Sequence, residues 1–366
     1  MNLNSELERR ITLAVEWLAG MHSGGCYFRS RTNGVLGPHS PSTTGYAAHL
    51  FAWLFAIHGR DADRRSARGA AEWLAGHMLS GEDEKWRLDA ERVGFFDLGI
   101  AGRGLFAVSK QFQRTEFWDV AIQIGSLMRL YALTAPGLYH PTIRREQFSL
   151  YHPTVRIEEG KIITTIGGEG YGPHFRKAAI IWKFLKAFGD YDDLDRVFSE
   201  FPIIAIVAAQ PEAKKKKPRP TEEDSQLELQ RFEQSTALHQ WACSAEALAM
   251  GEASHLRAAK TVELLEQRGL SVVDSIGTLL RCDLLAQFIR LKMMLGMPPE
   301  TSLLDMLFDF QRSDGGFHFY RLNNTLSDQL DVPATLFAVQ AMALARNPAE
   351  LCRMPGPLGR RELAIV

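Results

Sequence analysis

The pentapeptide Glu16-Trp17-Leu18-Ala19-Gly20 returns as Glu72-Trp73-Leu74-Ala75-Gly76, 56 residues later, and each copy closes an apolar pattern of helical period. Self-similarity at such a spacing marks stacked supersecondary units, here helical hairpins. A second echo lies in the segments that follow each copy: Thr44-Gly45-Tyr46 opens one apolar helix and Leu98-Gly99-Ile100 opens another, 54 residues on. The chain therefore reads as an all-α ring of helix pairs, in which the chemistry gathers at the end carrying the long connections.

Twelve helices are expected, alternating between two characters. Residues 5–21, 62–78, 115–132, 190–201, 253–268 and 299–311 are amphipathic and suit an outer ring. Residues 43–58, 97–112, 173–188, 235–250, 281–296 and 333–346 are apolar nearly all round and suit an inner ring packed on both sides. Turns from inner to outer helix are short and carry stop signals, as in His58-Gly59-Arg60-Asp61, Phe188-Gly189-Asp190 and Met250-Gly251-Glu252. Tight turns force antiparallel neighbours. The reverse connections, 22–42, 79–96, 133–172, 202–234, 269–280 and 312–332, are long and must emerge on one rim, around six helix N-termini. Within the third, Val155-Arg156-Ile157 and Lys161-Ile162-Ile163-Thr164 alternate about Glu158-Glu159-Gly160, and with Phe148-Ser149-Leu150-Tyr151 they predict a small β-hairpin insertion near residues 145–165. The fourth holds Pro211-Glu212-Ala213-Lys214-Lys215-Lys216-Lys217-Pro218-Arg219-Pro220, a solvated charged run or else a lid or polyanion contact.

Composition narrows the function. With 46% hydrophobic and 23% charged residues among 366, the chain can bury a large core, and the continuous repeat argues for a single domain over residues 1–350 with a tail at 351–366. Forty-two basic against 43 acidic side chains give a net charge of −1, which favours neither nucleic acid nor an anionic membrane. Cys26, Cys243, Cys282 and Cys352 form no CxxC pair, so a disulfide framework and a zinc cage are disfavoured and buried thiols in a reducing compartment are expected. Residues 1–10 lack the pattern of a secretion signal, and no stretch approaches the roughly 18 apolar residues of a membrane span. The expected location is the cytoplasm.

Several segments carry a resemblance. Gln311-Arg312-Ser313-Asp314-Gly315-Gly316-Phe317 is similar to the QxxxGxW capping repeat, and with it go Leu238-His239-Gln240-Trp241, Ala245-Glu246-Ala247-Leu248, Asp283-Leu284-Leu285-Ala286-Gln287 and Thr335-Leu336-Phe337-Ala338-Val339-Gln340-Ala341. Over Glu6 to Leu344 the chain resembles the (α/α)6 toroids: six-hairpin glycosidases, uronate-processing enzymes and the prenyltransferase and squalene-cyclase group. The set is most similar to toroid proteins associated with bacterial polysaccharide biosynthesis. That resemblance implies a carbohydrate-active enzyme, a glycoside hydrolase or a uronate lyase or epimerase. Two departures weigh against the isoprenoid branch: there is no DxDD motif, of which Asp328-Gln329-Leu330-Asp331 is a loose shadow, and the helix mouths are rich in charge. Cys282-Asp283 matches poorly the zinc ligands of protein prenyltransferases, so no metal or other cofactor is expected.

The candidate site collects the polar residues at the starts of the inner helices. Asp97, Asp283, His174 and His239 are the candidate catalytic residues, and His39, Tyr46, Arg103, Glu169, Tyr171, Arg176, Trp241, Gln287, Tyr320, Arg321 and Asp331 the candidate substrate contacts. Each has a plainer reading. Asp97 and Asp283 suit helix N-caps, Asp331 suits a cap before Pro333, the two histidines suit core positions satisfied by backbone, and Trp241 suits packing. Glycoside hydrolysis needs an acid and a base or nucleophile roughly 5 to 10 Å apart, and Asp97 and Asp283, on the second and fifth inner helices, can face each other across the mouth. Proton abstraction beside a uronate carboxylate instead needs a His or Tyr base with Arg103 or Arg176 against the acid. The partner expected is an oligosaccharide or other small molecule; the alternatives are an isoprenoid-binding cyclase and a non-catalytic scaffold.

Overall fold

The computed structural model describes residues 2–80, 92–134, 142–144, 155–158, 161–164, 279–297 and 300–347. The expected helices at 173–188, 190–201, 235–250 and 253–268, the lysine-rich run, Phe148 to Tyr151 and the tail at 351–366 lie outside the described residues.

Eight helices are present among them: α1 (Leu3–Ala19), α2 (Pro41–His58), α3 (Asp61–Ser80), α4 (Phe95–Phe112), α5 (Thr115–Thr134), α6 (Cys282–Met294), α7 (Thr301–Asp309) and α8 (Val332–Arg346). Their two characters follow the sequence pattern. On α1 only Leu7, Ile11, Ala14, Trp17 and Leu18 are buried, one stripe against the neighbouring helices, while Glu6 faces water and pairs with Arg9 and Arg10. On α2 every residue from Pro41 to Leu54 is buried, and on α8 every residue from Val332 to Ala345. A helix buried on all sides must be surrounded, and α6, α8, α2 and α4 pack in that order as successive neighbours, with α1 against α8, α3 and α5 outside α2 and α4, and α7 outside α6.

Local chemistry sets the helix ends. The Ser40 hydroxyl accepts from Thr43 N–H ahead of Pro41, and Gly59, at φ +65°, stops α2 with its N–H bonded to the Phe55 carbonyl. Asp331 caps α8 by accepting from Ala334 N–H at 2.8 Å, as expected. Helix ends shift from the sequence reading by one or two residues, and two of the shifts bear on the site. Helix α4 begins at Phe95, so Asp97 lies inside the first turn and not at the cap position. Helix α7 stops at Asp309 because Gln311 leaves it to bridge Phe317.

Among the described residues the twelve short strands all belong to the long connections. Strands β1 (His22–Ser23), β2 (Cys26–Tyr27), β3 (Ser30–Thr32) and β4 (Val35–Leu36) lie in the first connection; β5 (Arg92–Gly94) and β6 (Thr142–Arg144) in the second and third. Strands β7 (Val155–Glu158) and β8 (Lys161–Thr164) form the expected antiparallel hairpin, with Glu158 opposite Lys161. Strand β9 (Leu280–Arg281) ends the fifth connection, and β10 (Tyr320–Leu322), β11 (Thr325–Leu326) and β12 (Gln329–Asp331) lie in the sixth. Pairing runs between neighbouring connections: β5 with β6, β9 with β10, and β12 with β3. The last pairing ties the sixth connection to the first, which closes the ring and shows that these connections share one rim.

Candidate functional site

The rim is built from a repeat that helix periodicity does not reveal. Ser23-Gly24-Gly25-Cys26-Tyr27-Phe28-Arg29-Ser30-Arg31-Thr32-Asn33-Gly34-Val35-Leu36 in the first connection corresponds to Ser313-Asp314-Gly315-Gly316-Phe317-His318-Phe319-Tyr320-Arg321-Leu322-Asn323-Asn324-Thr325-Leu326 in the sixth. Asn33 and Asn323 both take φ +49° at the hairpin tips. Tyr27 N–H donates to Thr44 Oγ1 at 2.9 Å, and that hydroxyl donates to the Ser40 carbonyl. Phe317 N–H donates in the same way to Thr335 Oγ1 at 3.1 Å, which donates to the Asp331 carbonyl. Each unit thus locks a connection onto the first turn of the inner helix that follows it.

At the junction of the sixth and first units, the starts of α6 and α8 meet. Arg281 grips Asp283 through two parallel bonds, Nε to Oδ1 at 3.0 Å and Nη2 to Oδ2 at 2.6 Å, both side chains being 7% exposed. The guanidinium also lies over the Phe319 ring at 5.1 Å. Asp283 accepts in addition from Leu284 N–H at 2.9 Å, so it is fixed in place without capping α6. Asp331 stands beside this pair, 1% exposed. Its Oδ1 serves the cap, while Oδ2 is buried with no hydrogen-bond partner among the described residues, Arg29 Nε being 3.6 Å away. Burial pushes the Asp331 carboxyl up to about 6; Asp283 adds to the rise, and Arg29, the Ala334 N–H and Arg281 oppose it. Burial with the same two carboxylates raises the Cys282 thiol well above its ordinary value.

The other expected site residues distribute as follows. Tyr46 is 3% exposed on α2 and meets the Phe337 ring of α8 edge-on at 5.1 Å. Arg103 on α4 and Gln287 on α6 are buried, and one turn beyond Gln287 the fully buried Arg290 donates to Gln340 Oε1 of α8 at 2.8 Å. Tyr320 pairs across the strands with Arg281, and Arg321 reaches Asp309 at 3.8 Å and covers Phe310. His39 is exposed and stacks on Phe28 at 4.4 Å. Asp97 is placed by its backbone in the first turn of α4, with α8 and α2 standing between α4 and α6; its side chain lies outside the described residues, as do His174, His239, Glu169, Tyr171, Arg176 and Trp241. The structure thus brings Asp283 and Asp331 together and adds Arg29 and Arg281. Arg29 is missed by a search confined to helix starts, and the Gly25/Gly315 repeat, which spans it, is the sequence signal that leads to it; Arg281 stands at the start of α6, outside that repeat. Among the described residues no group of His, Cys, Asp and Glu is arranged to hold a metal ion, and no helix is long and apolar enough to cross a membrane.

No protein-family model and no curated protein matches the chain. Solved structures do. A sugar epimerase from a ruminal bacterium superposes with a TM-score of 0.61 at 12% identity, over 94% of this chain and 98% of its own. A D-mannose isomerase gives 0.61 at 10%, with the same coverage of both chains. A type II terpene cyclase from Scytonema gives 0.54 at 13%, over 94% and 99%.

The chain is an (α/α)6 toroid. Near-complete coverage in both directions, with the ring closure through β3 and β12, supports that assignment across the length of the molecule. At these identities the likeness concerns the fold, which hosts both sugar and isoprenoid chemistry.

Proposed function

We propose that this toroid is a carbohydrate-active enzyme that modifies an oligosaccharide or polysaccharide at its rim, with Asp331 giving and taking a proton beside the ion-paired Asp283. The observation that carries the reading is a buried carboxyl held at about 6 next to a second carboxylate fixed by a guanidinium. A general acid or base works best with a pKa near the operating pH, and a pair of carboxyl groups in unlike surroundings divides the two roles. Asp97 and the histidines at 174 and 239 are the candidates for the far side of the mouth.

Among sugar reactions, epimerisation or isomerisation is the first reading, since it needs one proton removed from carbon and returned, and the similarity to a sugar epimerase and a mannose isomerase supports it. Glycoside hydrolysis is the second, favoured by the two adjacent carboxyl groups. Charged groups at the starts of α6 and α8 suit a hydroxylated ligand better than a hydrocarbon.

The test is incubation of the purified protein in heavy water with neutral and uronate oligosaccharides, followed by NMR and mass spectrometry. Deuterium entering the sugar with an inverted centre supports epimerisation; addition of water supports hydrolysis; an unsaturated product supports elimination. Turnover of isoprenoid diphosphates alone, or of neither panel, overturns the reading.

A further inference from the structure

Arg29 is set at the rim in a way the proposed acid–base chemistry does not require. Its backbone is anchored on both sides: Arg29 N–H donates to the Pro38 carbonyl at 2.8 Å and its own carbonyl accepts from Val332 N–H, the first residue of α8, at 3.1 Å. The side chain is 48% exposed, yet its Nε points at the Asp331 carboxyl, 2% exposed, from 3.6 Å. That distance is too long for a hydrogen bond. A guanidinium presents five donors in a planar fork, and here a charged, half-solvated fork hangs over a buried carboxyl oxygen that has no hydrogen-bond partner among the described residues. The competing cation, Arg281, is already committed in two bonds to Asp283. Among the described residues Arg29 is therefore the cation of this cluster with donor capacity left for a ligand.

We propose that Arg29 binds an oxyanion on the sugar, so that the ligand is an acidic sugar, and that the buried Asp331 Oδ2 meets a neighbouring ligand oxygen. The inference rests on the carbohydrate reading above. A ring carboxylate and a sugar phosphate share this chemistry, since both accept two parallel bonds from a guanidinium. The groups that face Asp331 are Arg29 from the first connection, Asp283, Arg281 and Cys282 from α6 and its approach, and the Ala334 N–H of α8. When the ligand anion draws Arg29 away from Asp331, the carboxyl loses a stabilising cation and holds its proton more firmly. Binding of an acidic sugar thereby readies the acid.

The test compares the intact protein with the R29Q and R29K variants by calorimetric titration against D-glucuronate, D-glucose 6-phosphate and D-glucose, and against disaccharides ending in each. Preference of the native protein for one acidic sugar over the neutral one, falling at least tenfold in R29Q and partly restored in R29K at unchanged melting temperature, supports the proposal, and the better of the two anions names the source. An alkaline limb of kcat, set by protonated Asp331 with ligand bound, that lies above that of kcat/KM in the native protein, with the gap closing in R29Q, supports it further, since a merely structural arginine produces no such gap. Binding of the neutral sugars as tight as the acidic ones, or an acidic preference untouched in R29Q, overturns this inference alone. Binding of none of the sugars overturns it together with the carbohydrate reading.

Discussion

A Cβ added to Gly315 would lie 2.1 Å from the carbonyl oxygen of Leu13, so the last connection of the chain touches the backbone of the first helix with no room for a side chain. Gly25 stands to Gly69 in the same relation, at 2.3 Å. The two contacts are one contact repeated: the glycine turn of each connection docks on the next outer helix, where Trp17 backs Gly316 and Trp73 backs Gly25. The Trp of the opening pentapeptide is thus half of a joint, and the joint between sixth and first hairpins closes the ring.

Substituting Gly315 by Ala is expected to cost about 2 to 4 kcal/mol, because both the close backbone contact and φ +104° reject a side chain. Gly69 has open space at its own Cβ position within α3, so Gly69→Ala is expected to stabilise by up to about 1 kcal/mol. Urea unfolding of both variants checks the contrast, and equal effects would contradict the close contact of Gly315 with Leu13.

Thr335→Val is expected to destabilise by about 1 to 3 kcal/mol, since it leaves the buried Phe317 N–H without its acceptor. Thr44→Val removes the equivalent acceptor of Tyr27 and is expected to fall in the same range. Equilibrium denaturation of the two single variants and of the Ser replacements, which keep the hydroxyl, measures the effect.

Arg281→Met leaves Asp283 buried without its guanidinium and is expected to cost about 3 to 5 kcal/mol. Arg68→Met breaks the solvated pair with Glu72 and is expected to cost less than about 1 kcal/mol. Similar losses at the two sites, by denaturant titration, would show that Asp283 is better solvated than its burial indicates.

Asp331 has a folded pKa of about 6 against an ordinary value of 3.8. The folded protein therefore holds this proton more tightly than the unfolded chain, and stability drains away as pH rises through that interval, by about 3 kcal/mol once it is complete. Asn at this position keeps the cap acceptor and has no proton to lose. Asp331→Asn is thus expected to gain on the native protein by about that amount between roughly pH 3.5 and pH 7.5, read from urea midpoints along a pH series. A difference that stays flat with pH would exclude the raised carboxyl.

The same substitution bears on activity. Loss of a general acid or base is expected to lower turnover by about 10²- to 10⁴-fold while the fold persists. Steady-state kinetics on whichever sugar the heavy-water screen identifies, with circular dichroism as the check on folding, decide between a working carboxyl and a cap.

The sequence by itself determined what depends on neighbours along the chain. Hydrophobic period separated inner from outer helices, Gly59 marked the end of α2, Asp331 announced the cap of α8, and alternation about Glu158 to Gly160 produced the β7–β8 hairpin. These are local interactions, written in residues a few positions apart. Tertiary structure alone decided which charges meet. Arg29 and Asp331 come from opposite ends of the chain and are neighbours because β3 pairs with β12. Arg281 and Asp283 lie two residues apart, and what the tertiary structure adds is their burial, both side chains being 7% exposed. The rise of Asp331 to about 6 reflects desolvation, which sums the packing of every element around the group, and no spacing of letters encodes that sum.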